Sequence, residues 1–333
     1  MNNYNLCQKP EFSISLREIN LTENFLKNAV GGFSFFNKNK ENKQLKYEFP
    51  AFFLFSDLRN SQENISQIIQ MNEGKKKYIY NGKKIVGTTI SDGNIEQIFI
   101  LGLTPQNLSN PPSKQAEEIF SLLDKILAEN NFNFQDVVRT WFYNNNITEW
   151  YADFNSVRTS FFKEKKIFEN LVPASTGIGA ENIYGSAICA GLHAIKSHNK
   201  KRIAQVIESP LQNSAMNYKS SFSRAVEISF PEYKKLYISG TASINKNGET
   251  VFIGNCAKQI AETMKIVEAL LNSRGATWEN VSRSIAYFRK TQDIHFLEEF
   301  LKEKKIPQFP IIITQATICR ENLLFEIEAD AII

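Results

Sequence analysis

The chain has 333 residues, 42% hydrophobic and 22% charged, which supplies a sizeable core and excludes disorder over most of the length. Its 39 basic and 35 acidic residues leave a net charge of only +4. The basic runs Lys75-Lys-Lys, Lys163-Glu-Lys-Lys and Lys200-Lys-Arg read as solvated turns and helix ends, not as a nucleic-acid footprint.

No apolar run approaches the roughly 18 residues that span a bilayer. The stretch Phe49–Phe55 is strand-length and holds Pro50. The first ten residues lack the basic and then apolar pattern of a secretory leader. The four cysteines, at 7, 189, 256 and 319, form no CxxC pair, and His193, His198 and His295 form no ligand set. The expectation is a cytoplasmic protein of about two domains, with reduced thiols, no dedicated metal site, and no nucleic-acid or membrane partner.

To about residue 105 the chain reads as strands and turns. Tyr78-Ile-Tyr-Asn-Gly-Lys-Lys-Ile-Val carries Asn81-Gly82, a strong hairpin signal. Ile98-Phe-Ile-Leu-Gly-Leu is a further strand. Asn110-Pro-Pro-Ser then breaks the chain, and Ala116, Ile119, Phe120, Leu123, Ile126 and Leu127 recur at helical spacing behind Ser113 as N-cap.

The next stretch repeats. Leu127, Phe134, Val137 and Arg139 answer Leu271, Trp278, Val281 and Arg283, an offset of 278 − 134 = 144. Phe161-Phe-Lys-Glu-Lys-Lys-Ile answers Phe300-Leu-Lys-Glu-Lys-Lys-Ile, offset 300 − 161 = 139. Both copies run helix, turn, strand, helix, strand, which argues for a duplicated α+β unit. Strands are expected over Asp136–Tyr143 and Asn280–Phe288, and helices over Trp150–Phe168 and Asp293–Lys305. Further strands are expected over Ile183–Ala194 and Ile311–Ile318, after Pro173 and Pro310. Glu208-Ser-Pro-Leu-Gln-Asn-Ser marks a junction, so the domains are placed at 1–205 and 206–333.

The last expected strand, Leu324–Ala331, alternates cleanly. Phe325, Ile327 and Ala329 share one face, and Glu326, Glu328 and Asp330 the other. The plain reading of the acidic face is a wet one. The alternative is a site in which Arg320, with its planar fork of donors, holds a substrate carboxylate and a nearby Glu moves a proton. Ser239-Gly-Thr-Ala-Ser243 offers small residues and hydroxyls that let a ligand approach the backbone, or is simply a strand ending in a turn. Pro173–Gly179 is glycine-rich but lacks the lysine of a P-loop. The cysteines read as buried and inert, with Cys319 the exception.

These pieces together resemble a known family. The Ser239–Ser243 strand, the helix Gln259–Leu271, the turn Gly275–Val281 and the closing Arg320–Glu328 segment resemble RidA/YjgF proteins. The whole chain more specifically resembles the chorismatases, through Arg139-x-Trp141, Asn146, Tyr151-x-x-Phe154-Asn155-x-x-Arg158, Pro173–Gly179, Ser209-Pro210-x-Gln212-x-x-Ala215, Ser223-Arg224-Ala225 and Cys319-Arg320 through Glu328. The family's Tyr-Pro…Tyr-Gly-Pro stretch is shortened here to Met216–Phe222, in which Tyr218 remains.

The resemblance implies an α+β fold of two tandem RidA/YjgF-like (chorismate-mutase-like) sandwich domains, mixed sheets with helices on one face, and a pocket mainly in the second. It implies cofactor-independent conversion of chorismate to pyruvate plus a hydroxybenzoate or a dihydroxycyclohexadienoate. Glu326 matches the family's acid, which protonates the enolpyruvyl methylene. Arg320 and Arg224 would hold the two substrate carboxylates. Tyr218 and Thr241 would orient hydroxyls, and Cys319 and Ala242 would line the ring. The other readings are a RidA-like enamine or imine deaminase, and a degenerate homologue that binds an aromatic carboxylate. The expected partner is a small molecule, and the chain is a monomer or a homotrimer.

Overall fold

A computed structural model describes residues 11–16, 28–37, 49–58, 64–71, 74–199, 203–218 and 220–333. The described strands form three sheets. One has four strands, in the order β1-β4-β2-β3, with β1 at Glu11–Leu16, β2 at Ala29–Asn37, β3 at Ala51–Ser56 and β4 at Asn64–Met71.

The second sheet is built on β5 (Lys75–Asn81), β6 (Lys84–Ser91), β7 (Ile95–Leu103), β8 (Val137–Asn144), β9 (Ala174–Gly179) and β10 (Ile188–Ser197). Asn81-Gly82 turns the β5–β6 hairpin, as the sequence predicts. The third sheet is built on β11 (Ala204–Ile207), β12 (Ala225–Ser229), β13 (Lys234–Ala242), β14 (Val281–Phe288), β15 (Ile312–Gln315) and β17 (Phe325–Ile332). The short β16 (Thr317–Ile318) crosses over and pairs with β9, at the edge of the second sheet.

The duplication read from the sequence is a duplication of topology. The two large sheets run β5-β6-β7-β10-β8-β9 and β11-β12-β13-β17-β14-β15. In each, three antiparallel strands lead to a helix, a strand, a second helix and a parallel partner. A last strand then inserts in the middle of the sheet. The helices are α1 (Pro112–Glu129) and α2 (Ile147–Glu164) in the first unit, and α3 (Cys256–Asn272) and α4 (Ile294–Glu303) in the second. α1 starts one residue before the expected Ser113, with Pro112 at its first position, where a missing N–H costs nothing.

Two differences from expectation have clear causes. Residues 174–179 are a strand, although their small Ala-Ser-Thr-Gly composition reads as loop; parallel pairing with β8 overrides that weak propensity. The strand expected at Ile183–Ala194 begins at Ile188, because Asn182 and Ser186 close a hydrogen-bonded turn ahead of it.

Each helix pair covers the outer face of its own sheet. Ile119, Phe120, Leu123 and Leu127 of α1 pack with Phe142 and Phe154, and Ile260, Met264 and Val267 of α3 pack with Ile327 and Ala329. Burying each of these large side chains contributes about 1.5–3 kcal/mol. The inner faces of all three sheets meet in a common core of Phe33, Phe35, Phe52, Trp141, Tyr237 and Tyr287. The repeat offset is visible there: Tyr143 and Tyr287, 144 positions apart, share a buried hydrogen bond of 2.8 Å.

Candidate active site

The acidic face of β17 is not wet. Glu326, Glu328 and Asp330 are all buried, because that face looks inward between the sheets. An isolated buried carboxylate is costly, so such groups need partners or protons. Arg139 and Arg283, the repeated arginines of β8 and β14, both bind Glu328, at 2.8 and 2.7 Å, and Arg283 also binds Asp330 at 2.7 Å. Glu326 has no hydrogen-bond partner among the described residues.

Burial therefore acts on Glu326 unopposed by a direct ion pair. Loss of solvent, reinforced by the charge of Glu328, raises its pKa to about 8, against smaller opposing effects of Arg139 and Arg224. A carboxyl in this state keeps its proton at neutrality and can give it up, which is what a general acid needs.

Glu326 stands in a chamber between the two units. The first unit supplies Tyr151 and Arg158 from α2, and Ser175 and Gly177 from β9. The second supplies Tyr218, Ser220, Phe222 and Arg224, then Gly240 and Ala242 from β13, and Cys319 and Arg320 from the turn before β17. The sequence-derived set of Glu326, Arg320, Arg224, Tyr218, Cys319 and Ala242 is thus brought to one place. Thr241 is not: β13 alternates, Gly240 and Ala242 face the chamber, and the Thr241 hydroxyl donates to the Ser239 carbonyl at 2.8 Å.

Local sequence explains how these groups are held. The β13–β17 pairing slips between Ile238 and Thr241, and at this bulge Gly240 passes beneath the Glu326 carboxyl. A Cβ on Gly240 would collide with that carboxyl, so only glycine leaves room for the acid. Serines knit the seam: the Ser239 hydroxyl accepts from the Ser175 N–H at 2.9 Å and donates to the Ser223 carbonyl at 2.5 Å. Arg289 props the turn that carries Arg320, donating to the carbonyls of Ile318, Arg320 and Leu323. Gln259 of α3 binds the same turn at Asn322 and Leu324.

The chamber is rich in guanidinium. The Tyr218 ring lies 5.4 Å from the guanidinium groups of both Arg224 and Arg320. Arg224 donates from Nε to the Asn213 carbonyl at 3.2 Å, while its buried Nη2 has no partner. Arg320 donates to the Gly248 carbonyl at 2.5 Å. None of Arg158, Arg224 and Arg320 makes an ion pair among the described residues, so the chamber offers positive charge to an anionic ligand.

Arg158 was not singled out as a site residue. It is buried, its Nη2 donates to Asn155 at 2.6 Å, and its Nε has no partner. The signal was present, since Arg158 falls in the buried stripe Ile147, Trp150, Phe154, Arg158, Phe162 of α2. A cation on an apolar stripe asks for an explanation. Cys319 is no nucleophile: burial, with the charge of Glu326, raises its thiol pKa to about 12.

The free volume of the chamber is about 40 Å³, room for about three waters. Tyr151, Tyr218, Ser220 and Arg320 also border an outer groove of about 870 Å³, which runs along α2 past Thr159 and Lys163. Tyr218 thus stands between a small inner chamber and a large outer one.

Residues 96–186 match the family model described as Endoribonuclease L-PSP. The chain is 26% identical over 262 residues to a 3-hydroxybenzoate synthase of Streptomyces hygroscopicus, covering 70% of this chain and 73% of that protein. It is 26% identical over 215 residues to a chorismatase of the same organism, covering 58% and 60%. A chorismatase crystal structure superposes with a TM-score of 0.71 at 18% identity, over 96% of this chain and 98% of that one. The chain is thus similar in sequence to a chorismatase and a 3-hydroxybenzoate synthase, and it shares the fold of a chorismatase. Its mixed α+β sheets are those of a chorismatase-family fold. Among the described residues no helix is long and apolar enough to cross a membrane, and no group of three or more His, Cys, Asp or Glu is placed to hold a metal ion.

Proposed function

We propose that the protein converts chorismate to pyruvate and a second, ring-derived product, with Glu326 as the acid. The observation that carries this reading is a buried carboxyl with pKa about 8 facing a chamber lined by three arginines that make no ion pair among the described residues. The names of the curated relatives support the substrate.

Chorismate carries a ring carboxylate, an enolpyruvyl carboxylate and an enol ether. Arg320 and Arg224 hold the two carboxylates, and Arg158 adds a third positive charge. Tyr218 orients the ligand, while Ala242 and Cys319 line the ring. Glu326 protonates the terminal methylene, which leaves an oxocarbenium ion at the ether carbon. Water adds there and the hemiketal collapses to pyruvate and a dihydroxycyclohexadienoate. The hydroxybenzoate route consumes no net water, because the ring loses as much as the ether takes up. No cofactor enters either balance.

The ring enters only if Tyr218 and its segment swing toward the outer groove, because the inner chamber holds about three waters. That small volume favours a second reading, hydrolysis of a small enamine or imine acid by the same Arg320 and Glu326. The test is to incubate the full chain separately with chorismate and with a small imino acid generated in place. Pyruvate above the spontaneous rate from chorismate, with an aromatic or dihydroxylated ring product on chromatography, supports the first reading. Ammonia from the imine alone supports the second. Tight binding of hydroxybenzoate without turnover of either makes the protein a binding homologue.

A further inference from the structure

Behind Glu326 lies a charged cluster that makes no contact with the chamber. Glu328 sits two residues further along β17, on the same face and without solvent exposure. Its Oε2 pairs with Arg139, and its Oε1 with Arg283 and the Trp141 indole N–H at 3.2 Å. Arg283 divides its charge between Glu328 and Asp330, whereas Arg139 pairs with Glu328 alone among the described residues.

Arg139 also reaches toward the site. Its Nη2 donates at 2.6 Å to the Thr176 hydroxyl, which in turn accepts from the Gly240 N–H at 3.1 Å. Gly240 is the residue that passes beneath the Glu326 carboxyl. One chain of contacts therefore runs Glu328, Arg139, Thr176, Gly240, Glu326. It joins strands of both units.

We propose that Glu328, Arg139 and Thr176 are positioning residues for Glu326: they fix the Gly240 bulge under its carboxyl and set the charge behind it, without touching substrate. The proposal rests on the reading of Glu326 as the acid. The two charges act in opposite senses. Glu328 disfavours a second negative charge on the same strand face, and Arg139 favours one. Arg139 keeps the carboxylate behind the acid neutralised, so the acid stays titratable rather than permanently protonated.

The other groups that bear on Glu326 are known. Arg224, ahead of β12, favours its charged form. Cys319, in the turn between β16 and β17, feels its charge. Tyr287 lies opposite on β14, with its proton held by burial and by Glu328. None of these is linked by hydrogen bonds to Gly240.

The experiment is an infrared titration of the full chain without substrate, with the Glu326 carboxyl band assigned by its loss in Glu326→Gln. Glu328→Gln is expected to lower the midpoint by about one pH unit or more, and Arg139→Gln to raise it by a similar amount. Arg139→Lys, which keeps the charge, returns it toward wild type. If Glu328→Gln fails to fold because two arginines lose their partner, Arg139→Gln still decides, since Glu328 retains Arg283. Thr176→Val keeps shape and removes both hydrogen bonds; kcat falls about tenfold at unchanged KM, and Thr176→Ser restores it. Midpoints that stay put, or that move in the same direction in Glu328→Gln and Arg139→Gln, overturn the proposal. The band is read without turnover, so pyruvate release by the wild-type chain tests the acid assignment separately.

Discussion

The two repeated units use one frame for opposite ends. Tyr143 and Tyr287 hold equivalent places on β8 and β14; Tyr143 pairs with Cys189, and Tyr287 with Glu326. One pleat further along, Trp141 pairs with Gly191 where Ile285 pairs with Glu328, and Arg139 pairs with His193 where Arg283 pairs with Asp330. The first unit thus carries Cys189, Gly191 and His193 where the second carries Glu326, Glu328 and Asp330. In the first, the Phe52 ring of the four-stranded sheet presses on Gly191 and leaves no room for a side chain. His193 is held neutral by burial and by Lys235, between Tyr237 and Gln97. In the second, the same face is charged and opens onto a chamber. A duplicated fold can spend one copy on packing and keep the other for chemistry.

Substitutions at matched positions should separate these roles. Glu326→Gln should lower pyruvate release from chorismate by about 10²- to 10⁴-fold, while Cys189→Ser leaves the rate within a few fold; a steady-state assay of both decides. Phe52→Ala should cost about 3–5 kcal/mol in denaturant unfolding and leave the pH profile of turnover unmoved. Gly191→Ala should cost about 1–3 kcal/mol, because its methyl meets Phe52, Leu101 and the Ile100 carbonyl. Gly240→Ala should lower kcat more than stability, because its methyl displaces the Glu326 carboxyl.

A further effect is one of linkage. The folded pKa of Glu326 is raised from 4.5 to about 8, so the fold binds a proton that the unfolded chain releases between those values. That contribution is complete below the unfolded value and is lost as pH rises through the folded one. Wild type should therefore lose stability relative to Glu326→Gln between about pH 4.5 and 8, as thermal unfolding of both across that range will show.

Much of this contrast was legible in the sequence. The alternation at 325–330, the offset of 144 and the paired arginines 139 and 283 were all visible. Alternation, however, says that a strand has two faces and not which is dry. The dryness of the acidic face depends on a second sheet presenting Arg139 to Glu328 across the gap, a contact between residues 189 positions apart. The β9 strand was missed because its small residues have little strand propensity of their own, and those same small residues make the chamber wall. Thr241 was chosen for its hydroxyl, but the pleat of β13 turns that hydroxyl away.

The pH dependence of pyruvate release from chorismate tests the central claim most directly. If Glu326 acts as a buried acid with a pKa near 8, the rate is level below that value and falls about tenfold per pH unit above it. A rate that stays level to pH 10, or that rises as Glu326 loses its proton, contradicts the account.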